Sequence, residues 1–283
     1  MALRGLISYW TIPVLSSLVW LGMLLGLLLH WIIDTHRRHY PSMSDRASIA
    51  YISNVGAHEL KPLFIAGSVA TTLTLDSAFV AERWLRHSGR LVPNASPGEK
   101  ALAILTIAFA LVGTAGLILL SIFDTWRFHG LHDIFLLLFI AGYLFSAVFT
   151  CWESQRLGIK NRQHRVLRAS FWVKLTFVLV ELVLAIIFAA TSYTRHTDVA
   201  AVFEWVVAFI FTFYILSFVI DLYPAVATRD PGSRFEKPRF VDEAAAVSAG
   251  ADPDDAAASS NATTSASALH PRDYPMDRNP INF

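Results

Sequence analysis

Six separate stretches of about twenty apolar residues constrain this chain most, because a segment crossing a ~30 Å hydrocarbon core must be a helix of that length to satisfy its own backbone. They fall at 12–33, 62–82, 101–122, 131–151, 169–192 and 202–222. The second, rich in Gly, Ala, Ser and Thr, suits a helix packed closely inside a bundle. The first begins after Met1 and Arg4, but its apolar run continues to Ile33 without a small-residue cleavage site, so it is expected to stay as an anchor. The expected fold is all-α: a polytopic membrane protein, one bundle of six transmembrane helices over 1–224.

Composition agrees. Charged residues make up 16% of the chain and the mean hydropathy is +0.48, whereas charged residues are about a quarter of a soluble chain. A net charge of +1 argues against nucleic-acid binding, which needs a basic excess. Cys151 is the single cysteine, so neither an internal disulfide nor a cysteine zinc cage can form. It sits at a membrane edge, where S-acylation or simple burial are both open.

Lys and Arg are unevenly distributed over the flanks of the spans. Sixteen lie at the N-terminus, in the 83–100 and 152–168 loops and in the tail, against six on the other side. Cytoplasmic segments collect such bases, which predicts both termini inside. From Ala225 to Phe283 the sequence turns polar and aromatic-poor, and 225–283 reads as a disordered cytoplasmic tail. Its early bases and later acids suit a segment that lies on an anionic leaflet and then leaves it.

Ionisable groups inside a membrane are costly and ask for partners. Asp76 and Lys174 fall at similar depth and predict an intramembrane ion pair, or else a snorkelling Lys174 and an Asp76 bonded to nearby hydroxyls. Glu181 lies near the midplane, where internal pairing is expected ahead of a proton relay. At the opposite rim, His58 and Glu59 precede span two, Arg127, His129, His132 and Asp133 precede span four, and Glu204 opens span six. Such a cluster could do acid/base work or hold a metal, but an HxxH lacks a fixed third ligand, and no metal or other cofactor is expected. The plainer reading is helix-dipole and loop contacts, with a lipid headgroup between the two. In the 152–168 loop, Arg156, Lys160, Arg162, Arg165 and Arg168 are expected to contact anionic lipid; the ordinary positive-inside bias accounts for most of that signal, and specific recognition of phosphoinositides is the narrower reading. No broken helix pair of the transporter kind is evident.

Three segments together resemble one family. They are YISNVGAHELKPLFIAG at 51–67, FHGLHDIF at 128–135 and VFEWVVAFIFTFYILSFVIDL at 202–222. The chain resembles the six-span family of damage-regulated autophagy modulators (DRAM), fungal suppressor-of-four-kinase membrane proteins and GPI-anchor lipid-remodelling proteins. Members often carry Pro-x-Ile-Ser where this chain has Ala50-Tyr51-Ile52-Ser53. The tail and basic loop look most like the suppressor-of-four-kinase branch. That resemblance implies a non-enzymatic plasma-membrane protein that organises membrane lipids and recruits a cytoplasmic phosphatidylinositol 4-kinase complex. Rival readings are a GPI-anchor or ceramide lipid-remodelling enzyme of the ER and Golgi, using the outer cluster, and an autophagy modulator of the vacuolar or lysosomal membrane. The oligomeric state is left open.

Overall fold

A computed structural model of the chain describes residues 8–94, 96–161, 165–228, 232, 234 and 235. Among them every regular element is helical: α1 (Thr11–Leu29, continued by a π-turn over His30–Asp34), α2 (Ile52–Gly56), α3 (Lys61–His87), α4 (Pro97–Ile122), α5 (His129–Lys160), α6 (Arg165–Tyr193), α7 (Thr197–Ser217) and α8 (Val219–Leu222), followed by a 3-10 turn over Tyr223–Val226. Six helices are long and apolar enough to cross a membrane, which bears out the expected all-α, six-span fold. Exposed Trp84, Trp152 and Trp172 ring one end, and exposed Trp126 and Tyr193 the other, as amphipathic rings do at membrane interfaces.

The long helices pack in chain order, α1 on α3, α3 on α4, α4 on α5, α5 on α6 and α6 on α7, and α7 returns to α1. The closing seam is tied by the Trp20 indole N–H, which donates to the Ala208 carbonyl at 2.8 Å. The Ser16 hydroxyl likewise donates to the Thr71 carbonyl at 2.8 Å, joining α1 to α3. Such hydrogen bonds and close packing hold helices together where lipid is as apolar as their side chains.

Helix ends depart from the apolar limits for local reasons. α4 starts at Pro97 because Ser96 and Glu99 form a capping box: the Glu99 N–H donates to Ser96 Oγ at 3.3 Å and the Ser96 N–H to Glu99 Oε2 at 3.0 Å. α5 continues to Lys160, nine residues past the apolar run. The expected 152–168 loop is therefore mostly helix, since residues such as Gln155, Arg156, Leu157 and Lys160 are good helix formers. The bundle also runs past Pro224. Ala225 and Thr228 are buried, Arg90 Nη2 donates to the Ala225 carbonyl at 2.6 Å, the Thr228 hydroxyl donates to the Arg90 carbonyl at 2.5 Å, and the Phe235 N–H donates to the Gly89 carbonyl at 2.8 Å. Nearly all of the tail expected to be disordered lies outside the described residues.

The tightest seam joins α4 and α5. A Cβ added at Gly142 would strike the backbone of Gly113, and one at Gly116 the backbone of Phe139, at 2.8 Å from its Cα. Only backbone stands there, so neither contact is relieved by turning a side chain. Gly142→Val is expected to destabilise the protein by about 1–3 kcal/mol, read as a lower midpoint of thermal unfolding in detergent. Gly22→Val, with nothing near its Cβ, should leave that midpoint close to wild type.

Candidate functional site

At the end carrying the exposed bases, charge is buried in a matched set. Lys174 is 1% exposed, and its ammonium donates to Asp221 Oδ2. The Ser170 hydroxyl donates to the other Asp221 oxygen at 2.5 Å. Beside them, Arg86 Nη2 donates to Glu82 Oε1 at 2.7 Å, Arg83 donates to Glu153, and Asn94 Nδ2 donates to the same Glu153 oxygen at 2.9 Å. Lys174 is within electrostatic reach of Glu82, and Asp221 of Arg83. The network thus holds Lys174, Arg83 and Arg86 against Asp221, Glu82 and Glu153, and it joins α3, α5, α6 and α8 without net charge.

This corrects the expected Asp76–Lys174 pair. Depth along the helix is similar, but α3 sits between α1 and α4, and Asp76 faces α4, where it accepts from the Thr114 hydroxyl at 2.8 Å. The Thr114 hydroxyl also meets Tyr143 Oη at 2.8 Å. Glu181 is not paired either: its Oε1 is buried without a hydrogen-bond partner. It borders a cavity of about 110 Å³ lined mainly by α5, α6 and α7, with Glu204 on the same wall.

The opposite rim does not form one cluster. Glu204 accepts from the Ile52 N–H at 2.7 Å, the first amide of α2, while Asp198 accepts from the Ser48 and Ile49 amides and the Trp205 indole donates to the Ala50 carbonyl at 2.9 Å. The start of α7 thereby pins the loop before α2. His58 Nδ1 lies 2.9 Å from the Asn54 carbonyl, and its ring stacks between Tyr40 and Trp126. His132 is buried, with Nδ1 2.9 Å from the Phe123 carbonyl. Glu59 and Arg38 form an exposed contact at 3.8 Å, as His129 and Asp133 do at 3.7 Å. Arg127 lies over the Trp126 ring, 5.8 Å from its centroid. No group of three or more His, Cys, Asp or Glu side chains is placed to hold a metal ion among the described residues.

The strongest ionic contact of this rim involves Asp124, which sequence reasoning missed. Lys61 Nζ donates to Asp124 Oδ2 at 2.6 Å, and the Arg127 N–H donates to Oδ1 at 2.8 Å. Burial alone would raise this carboxyl, but the Lys61 ammonium and the Arg127 amide outweigh it and hold the acid below its ordinary range.

Of the bases expected to meet anionic lipid, Arg156 and Lys160 lie on the last turns of α5 and Arg165 and Arg168 on the first turn of α6, all exposed. Arg162 lies outside the described residues. Arg156 rests over the Trp152 ring at 5.6 Å, and Lys160 Nζ is 3.9 Å from Glu99.

Lys174→Met or Asp221→Leu alone leaves an uncompensated buried charge and is expected to cost about 3–5 kcal/mol, whereas the double variant should recover most of that loss. Asp76→Asn, which gives up one hydroxyl contact, should cost far less; midpoints of the four proteins in one detergent decide it. For Asp124 the folded pKa lies below the unfolded value near 4, so its contribution is present above that value and fades as pH falls below it. Asp124→Asn should therefore lower the unfolding midpoint at pH 7, and the gap to wild type should shrink as pH falls below about 4.

Comparison with known proteins places these features in a family. The family model described as the Frag1/DRAM/Sfk1/Cwh43P N-terminal domain matches residues 8–225. Protein sfk1 of Schizosaccharomyces pombe is 31% identical over 217 residues, covering 76% of this chain and 63% of that protein. Protein SFK1 of Saccharomyces cerevisiae is 26% identical over 169 residues, covering 50% of this chain and 46% of that protein. The matches thus span less than two thirds of either relative. No solved structure matches. With six spans in a closed ring and the match running from the first helix to the turn after the last, the chain belongs to the Frag1/DRAM/Sfk1 family of integral membrane proteins.

Proposed function

We propose that this protein organises membrane lipids without catalysis, with its basic end at the cytoplasmic leaflet of the plasma membrane, and that it recruits a phosphatidylinositol 4-kinase assembly there. The observation that carries the reading is the division of charge at that end. The interior cations are matched by Asp221, Glu82 and Glu153, while Arg156, Arg165 and Arg168 are exposed at the level of Trp152 and Trp172. Bases at an anionic surface contribute about 1 kcal/mol each. The excess of sixteen bases over six supports a cytoplasmic basic end.

At the opposite rim, Glu204 and His58 serve the backbone of α2 and His132 the turn before α5, which favours a scaffold over an acid/base centre. Kinase recruitment is supported by the likeness to the Sfk1 proteins and by the basic start of the tail, which is anchored at the same end.

The test uses the full chain with Arg156→Gln, Arg165→Gln and Arg168→Gln together. In nanodiscs of phosphatidylcholine with a minority of phosphatidylinositol 4-phosphate, wild type should retain the anionic lipid in its annulus and the triple variant should lose most of that enrichment. Raised salt should weaken the wild-type enrichment. In cells, removal of 236–283 should disperse the kinase from the membrane. Unchanged lipid enrichment in the triple variant overturns the lipid reading, and unchanged kinase distribution overturns recruitment.

A further inference from the structure

We infer that the cavity bordered by α5, α6 and α7 binds a membrane amphiphile made of a long aliphatic chain and a head that donates hydrogen bonds, a primary amine or an alcohol, with the head at Glu181 and the chain along the aromatic walls. The inference stands apart from the basic end and does not rest on the function proposed for it.

Three observations converge on that occupant. The first is shape. α6 buries only Ser170, Lys174 and Val178, all before Glu181. Beyond Glu181 its turns carry no fully buried residue, and Ala185 and Phe188 face a cleft walled also by Phe139, Tyr143, Phe177 and Phe211. A cavity needs roughly 10–15 Å³ to hold one water, and apolar ones stay dry and take hydrocarbon; this one has about 110 Å³.

The second is an unmet polar group. Glu181 Oε1 and Tyr214 Oη both border the cavity, both are buried, and neither has a hydrogen-bond partner in the protein. An orphaned carboxyl at this depth is costly and calls for a donor. The fold does not use it, because no described residue is held by that oxygen.

The third is the sign of the lining. Among the described residues that form the cavity wall there is no Lys, Arg or His, while Glu204 is a second carboxyl, already engaged by the Ile52 amide. A phosphate or carboxylate head would meet two carboxyls and no cationic counter-charge, with only neutral hydroxyls such as Tyr214 to donate to it, so phosphodiester lipids and fatty acids are disfavoured. An amine or a hydroxyl supplies the missing donor. The aliphatic chain then replaces void by contact with the phenyl rings.

The experiment uses the full chain in phosphatidylcholine nanodiscs with three sixteen-carbon probes that carry a diazirine in the chain: an amine, an alcohol and a carboxylic acid. After illumination, mass spectrometry maps the labelled residues. Labelling of Phe139, Phe177 or Phe211 by amine or alcohol is expected, with the acid at least about tenfold weaker, the size of one charge-assisted hydrogen bond. Labelling by only one of the two donors identifies the head. Glu181→Leu should abolish the discrimination while leaving the unfolding midpoint unchanged or raised, since it removes an unpaired acid. Val207→Trp, which fills the cavity, should prevent labelling of its walls. Equal labelling by the acid, labelling confined to lipid-facing Leu182 and Val183, or a preference for amine or alcohol over acid that survives in Glu181→Leu would each overturn the inference.

Discussion

The pairing of Lys174 with Asp221 sets the terms for the rest of the bundle. An ammonium removed from water at membrane depth has to meet an anion, and that anion comes from α8, where the last span breaks after Ser217. Because Asp221 also takes the Ser170 hydroxyl, the start of α6 and the end of the chain's helical part are fixed in register. Arg83, Arg86, Glu82 and Glu153 extend the same neutrality to α3 and α5. The helices at this end are therefore held by a network of buried ion pairs, while further along single hydrogen bonds such as Trp20–Ala208 and Thr114–Asp76 supplement small residues and aromatic packing. The difference suits α6, whose outer half carries no comparable tether.

The number and type of the helices were legible in the sequence because the bilayer imposes one length and one secondary structure on any crossing segment. Their ends were less so. Apolar runs mark where hydrocarbon begins, and the helices of this protein continue past that line: α4 starts early on the Ser96–Glu99 box, and α5 carries Glu153 and Arg156 on turns that hydropathy assigns to a loop. The S-x-x-E spacing at Ser96 was a readable signal. The continuation of α5 was marked only by helix-forming residues such as Gln155, Arg156 and Leu157, a weaker signal than a capping box.

Pairing was the least legible. Asp76 and Lys174 match in depth, and depth is all that a hydropathy plot supplies. Which side of a helix faces which neighbour depends on the cyclic order of the six spans, and that order puts Asp76 opposite Thr114. Asp221 could have been singled out as the second acid of the last apolar span, after Glu204 and close to the basic flank. The rim residues illustrate a different limit. Glu204 and the histidines do share one end of the bundle, yet each is consumed by a local backbone need, the amide of Ile52, the carbonyl of Asn54 or that of Phe123. Common sidedness is not convergence.

Gly89 and Arg90 hold the segment that follows the last helix, through Ala225, Thr228 and the Phe235 amide. The anchored strand of chain therefore emerges over the turn between α3 and α4, some distance in sequence from the helix that delivers it. Tension along that described segment would therefore reach the turn between α3 and α4 first. The load passes into the last turn of α3, where Arg86 and Glu82 sit, and so reaches the buried charges directly.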